Sequence, residues 1–146
     1  MENIPESRFP EVCILREVWW LEIQGRIPAM ILSPKSTYMA YLVFRTTRES
    51  RGLAVPGKTK ISFGGIEMET QNVYLQRPAG ATNVITTMHR DVFPRRRKDG
   101  WMEIKLGEFE CDDNIESDNG GIVMAFDEHR TWKCGLIVEG IELRPK

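Results

Sequence analysis

Histidine occurs twice and cysteine three times in this chain of 146 residues. His89 and His129 are far apart, so no zinc-type pair of histidines exists. Cys13, Cys111 and Cys134 are odd in number and lack C-x-x-C spacing. They read as free thiols in a reducing compartment, and folding is expected to need no disulfide. No apolar run approaches the roughly 20 residues of a membrane helix, so no membrane partner is expected. The start, "MENIPESRFPEV", has no basic segment followed by an apolar one, so no secretory signal is read there. The net charge is -1, which excludes a global drive toward nucleic acid or an anionic surface. No G-x-S-x-G elbow is present. Helical periodicity is also missing.

The chain instead contains period-2 alternation in short pieces. "VWWLEIQ" (18–24) places Trp19, Leu21 and Ile23 on one face. "WMEIKLG" (101–107) sets Met102, Ile104 and Leu106 against Trp101, Glu103 and Lys105. "YMAYLVFR" (38–45), "KISF", "NVYLQ", "GIVMAF" and "GLIVEGIEL" complete the set, with Gly140 marking a bulge in the last. Many short alternating strands between Gly, Pro and polar turns predict an all-β antiparallel sandwich or barrel. One domain is expected, spanning 1–146, with 1–10 a loosely ordered arm. Loops are expected over 26–37, 46–59 and 108–121.

"GLAVPGKT", Gly52 to Thr59, matches the phosphate-loop pattern letter for letter. Phosphate binding needs a helix after the Lys. Here "KISFGGIEM" alternates like a strand and Gly64-Gly65 would stop a helix, so the nucleotide reading is refused. Glu22, Glu103 and Glu139 could approach one another as glycosidase carboxylates do, but they read as outward-facing strand residues. No catalysis, cofactor or metal is expected.

"EHRTWKCG" (128–135) joins the last two strands, yet its turn carries Trp132 and Lys133 where Gly or Asn would be usual. An aromatic ring covers the C–H face of a sugar, and polar groups satisfy the hydroxyl rim. Trp132 reads as an exposed platform or as a lid folded over the sandwich end. Trp20 and Trp101 read as packing residues, and Trp19 as core. If strands 101–107 and 122–127 are antiparallel neighbours, the basic loop 94–98 and "RRRKDG" flank this turn.

From residue 8 onward, "SRFPEV", "WLEIQGRI", "LSPKSTYMAYLVFR", "DGWMEIKLGEF" and "TWKCGLIVEGIELRPK" stand in the order in which the phloem protein 2, or Nictaba-like, family of plant lectins carries them. The chain resembles that family, and looks most like the small phloem-exudate lectins of cucurbits. The resemblance implies a jelly-roll-like β-sandwich that binds N-acetylglucosamine oligomers and the chitobiose core of N-glycans without catalysis. It also implies N-acetylglucosamine-bearing glycoproteins as partners, a homodimer, and residence in plant cytoplasm or sieve-element sap. RNA is an alternative partner through the basic loop 94–98 with Arg90 and Arg130. A more distant resemblance, to the sugar-binding domains of glycoprotein-recognising F-box proteins, implies sugar contacts from Trp132 and Lys133, and the Thr131 hydroxyl beside them suits the sugar rim. Lys35 and Ser36 follow by a looser match, with Pro34 and Thr37 beside them. Lys98 and Asp99 are second-tier candidates beside Arg97.

Overall fold

The computed structural model describes residues 13–14, 17–28, 35–63, 66–78, 92–110 and 121–146. Nine strands run through them: β1 (Cys13–Ile14), β2 (Leu21–Ile27), β3 (Thr37–Arg51), β4 (Gly57–Phe63), β5 (Ile66–Val73), β6 (Arg95–Arg96), β7 (Met102–Glu110), β8 (Ile122–Glu128) and β9 (Cys134–Pro145). They form two antiparallel sheets, ordered β1-β9-β3-β7-β6 and β2-β8-β4-β5. Setting aside the two-residue β6, the chain changes sheet at every connection except β4–β5. That is the double Greek-key connectivity of a jelly roll, so the fold is an all-β sandwich of that kind.

The alternation in the sequence sets the layers. Tyr38, Ala40, Leu42 and Phe44 of β3 face inward with Ile104 and Leu106 of β7. Ile61 of β4 and Ile122, Met124 and Phe126 of β8 meet them from the other sheet. On the outer face of the first sheet, Trp101 packs fully buried against Val43 and Ile137, the packing role expected of it. Gly140 pairs with Val43 while Val138 pairs with Phe44, so Glu139 is the extra residue of a bulge where one was expected.

Two expectations fail. Residues 46–59 are a loop only over 52–56, because the polar stretch 46–51 continues β3 by pairing with β9 at Leu136 and Cys134. Strands β7 and β8 are not neighbours, since they lie in opposite sheets. A short connection normally favours a hairpin, but among the described strands only β4–β5 and the two-residue β6 with β7 are consecutive and hydrogen-bonded. The proposed arm 1–10, Pro34, Arg90 and Cys111 lie outside the described residues.

Candidate functional site

One end of the sandwich collects four connections. The C-terminal end of β3 meets the starts of β7 and β9, through Phe44 with Met102 and Arg51 with Cys134. The C-terminal end of β8 meets the starts of β2 and β4, through Leu21 with Glu128 and Lys58 with Asp127. Trp19–Trp20, Gly52–Pro56, Tyr74–Arg77 with Arg95–Gly100, and His129–Lys133 therefore share this end. The basic segment does lie at the end that carries Trp132, but by jelly-roll connectivity and not by strand adjacency.

Backbone and side-chain ties fix the arrangement. Val18 and Lys133 exchange both backbone hydrogen bonds, at 3.0 and 2.9 Å, joining the β1–β2 and β8–β9 connections. The Arg130 guanidinium donates to the Pro56 carbonyl, tying in the β3–β4 turn. Gly52, at φ 74°, sits so close to the turn that a Cβ there would lie 2.0 Å from the Trp132 carbonyl oxygen. Only glycine allows this approach. Gly57 packs on the Phe126 ring in the same way, and Lys58 is a strand residue. The phosphate-loop letters thus serve a tight turn and a strand start, as the refusal of the nucleotide reading expected.

Lys133 departs from its expected place. It is 1% exposed. Its ammonium donates to the carbonyls of Trp19 at 2.5 Å, Thr131 at 2.6 Å and Glu128 at 3.1 Å, and Nζ lies 2.7 Å from Glu128 Oε2. The three N–H donors are thus directed into the fold and away from any sugar rim. Glu128 Oε1 accepts from the Arg130 amide at 2.8 Å. Burial pushes the Glu128 carboxyl up, but the close ammonium of Lys133 and the bond from the Arg130 amide outweigh it and hold the group below the ordinary carboxylate value.

This clamp presents aromatic rings outward. Trp19, Trp20 and Trp132 are 46%, 63% and 55% exposed, the exposed large hydrophobics among the described residues. Trp19 meets Trp132 edge to face, with ring centroids 5.5 Å apart. Trp20 lies 5.4 Å from His129. Sequence reasoning assigned Trp19 to the core and Trp20 to packing, and the structure corrects both. Strand periodicity extends to Leu21 only, so the rings preceding it escape the alternation that would have buried Trp19.

Of the remaining candidates, Thr131, Lys98 and Asp99 share this end, while Lys35 and Ser36 do not. Thr131 is half-buried and its hydroxyl donates to the Trp132 carbonyl at 3.2 Å. Asp99 closes the turn before β7, accepting from the Trp101 amide at 3.1 Å and pairing with Arg97 at 2.9 Å. Lys98 is exposed on that turn. Lys35, at φ 58°, and Ser36 precede Thr37, the far end of β3. Fifteen residues of β3, at about 3.3 Å each, separate them from Trp132. Glu22 is exposed on the second sheet, while Glu103 lies on the first and binds Arg144 through both oxygens at 2.6 and 2.9 Å. Those carboxylates do not converge. No group of three His, Cys, Asp or Glu among the described residues could hold a metal. No described helix is long and apolar enough to cross a membrane.

A family model described as phloem protein 2 matches residues 1–145. F-box protein PP2-B10 of Arabidopsis thaliana is 40% identical over 97% of this chain and 51% of its own length. F-box protein PP2-B15 of the same plant is 36% identical over 97% and 55%, and F-box protein VBF is 31% identical over 99% and 58%. The chain spans about half the length of these relatives.

Proposed function

Because the chain belongs to the phloem protein 2 family, we propose that it is a non-catalytic, lectin-like domain that binds N-acetylglucosamine oligomers on the platform of Trp19, Trp20 and Trp132. The observation that carries this reading is the exposure of these three indoles at one end of the fold. Large apolar rings are normally withdrawn from water, and an exposed cluster marks a binding surface. A saccharide supplies the matching chemistry, with C–H faces for the rings and hydroxyls for nearby polar groups and water.

Lys133 holds this platform rather than touching the sugar. Thr131 and His129 remain to meet the rim. A single shallow site binds weakly, and a homodimer would raise its avidity. The ligands in this reading are chitin fragments and the chitobiose core of glycoproteins in cytoplasm or sieve-element sap. The relatives are F-box proteins, and in this reading the equivalent half of each supplies ligand recognition.

The test is calorimetric titration with chitotriose at low and high salt. Neutral-sugar binding should barely change with salt, whereas RNA binding through 94–98 would weaken steeply. Absence of chitotriose binding, or binding unaffected by Trp132→Ala, would overturn the reading.

A further inference from the structure

A second feature stands at the same end, between β3 and the β5–β7 connection. It is an open cleft of about 460 Å3, lined by Arg45, Arg77 and Arg96 with Thr46 and Gln76, over a floor that includes Phe44 and Met102. Its volume lies within the roughly 300–1,000 Å3 of small-molecule sites. The described lining holds three arginines and no acidic residue, in a chain of net charge -1. We propose that this cleft is an oxyanion site for a small phosphate ester or carboxylate, separate from the tryptophan platform.

The arginines are held in position. The Arg77 guanidinium lies 4.4 Å over the ring of Phe93, which is itself buried and stacked on Tyr74 at 5.2 Å. The segment carrying Arg77 is fastened on both sides, by Tyr74 N to Val92 O at 2.8 Å and Gln76 N to Leu53 O at 3.1 Å. Arg96 lies in β6, paired with Met102. The Arg45 guanidinium sits 4.8 Å over Trp101 and forms the wall. A guanidinium stacked on a ring keeps its plane, so its fork meets an oxyanion with less entropy lost per hydrogen bond.

The fold also sorts the basic run. Arg97 turns to the outer sheet face, where Asp99 at 2.9 Å and Glu142 at 3.1 Å engage it. Arg96, its neighbour, lines the cleft. The apolar floor suits a ligand body, and Thr46 and Gln76 suit its hydroxyls.

The probes are glucose 6-phosphate, glucuronate and glucose, which share a pyranose body and differ at the sixth carbon. In amide NMR titrations, one or both anions should shift Thr46, Gln76 and Gly100 saturably, and glucose should not. A response to the phosphate alone or the carboxylate alone names the ligand class, and either supports the site. Arg77→Gln with Arg96→Gln should weaken the anion about tenfold or more, each charged hydrogen bond being worth on the order of a decade. Both side chains are exposed, so the melting temperature should hold, and chitotriose binding should be that of the unaltered protein. No shift with either anion overturns the proposal, as do shifts that persist unchanged in the double variant. Single-stranded RNA bound through Arg77 and Arg96 without a response to either small anion also overturns it.

Discussion

The ammonium of Lys133 lies 2.7 Å from Glu128 Oε2, with both side chains almost closed to solvent. These residues flank the turn between β8 and β9, and the pair draws its two ends together beneath Trp132. The same ammonium reaches the Trp19 carbonyl across the sandwich end. One buried charge thereby sets the spacing of two exposed rings. Oxygen Oε2 has no well-aligned hydrogen bond, and the close ammonium compensates its charge.

Removing that ammonium should destabilise the whole protein. Breaking one partner of a buried pair costs about 3–5 kcal/mol, since the other charge is left behind. Lys133→Met should therefore lower the denaturation midpoint strongly, in urea or heat. Lys133→Arg should recover part of the loss. A Lys133→Met protein that melts like the unaltered one and loses only sugar affinity would place the ammonium at the ligand instead.

Trp132→Ala should act in the opposite way. Its ring is more than half exposed, so the fold should keep its melting temperature. Chitotriose binding should weaken by about 2 kcal/mol, roughly thirtyfold, as truncation of an aromatic hot spot does. Trp20→Ala should show the same pattern. Titration and thermal melts on the same samples separate platform from support.

Gly52→Ala should disturb both properties. The added methyl would meet the Trp132 carbonyl, and the positive φ would strain any side chain. A loss of about 1–3 kcal/mol in stability is expected from the backbone conformation alone. Displacement of the turn should also weaken the interaction between Trp19 and Trp132, visible as a change in near-ultraviolet circular dichroism.

Acid should weaken the clamp. The folded Glu128 carboxyl titrates below its ordinary value of 4.5. Its contribution is therefore complete above that value and is lost as pH falls through the lower folded value. Glu108 adds to the same trend, held down by its hydrogen bonds from Lys105 and Lys146. Melting temperatures between pH 7 and pH 3 should fall for the unaltered protein. The fall should be shallower for Glu128→Gln, which starts from lower stability.

Strand existence was legible in the sequence because alternation is local. Leu21 and Ile23, Met102 to Leu106, and the run around Phe126 each show their inward face within a few residues, and the structure buries or half-buries them. The ordered family motifs reached the sandwich and its connectivity. Gly140 announced its bulge because glycine inside a strand has few other uses.

Which connections share an end was decided only by long-range pairing. The letters around Met102 and Ile122 do not say that their strands belong to opposite sheets. The direction of the Lys133 side chain depended on Val18 and Trp19, more than a hundred residues earlier. A lysine on a turn is ordinarily solvated, and only three carbonyls gathered from two connections, with the Glu128 carboxylate, make its burial favourable. The exposure of Trp19 and Trp20 has the same origin. They precede the first paired residue of β2 and face the turn after β8. The sequence determined a β-sandwich with tryptophan at a strand connection. Tertiary structure alone turned the lysine inward and set three indoles at one end, because burial depends on what the rest of the chain brings alongside.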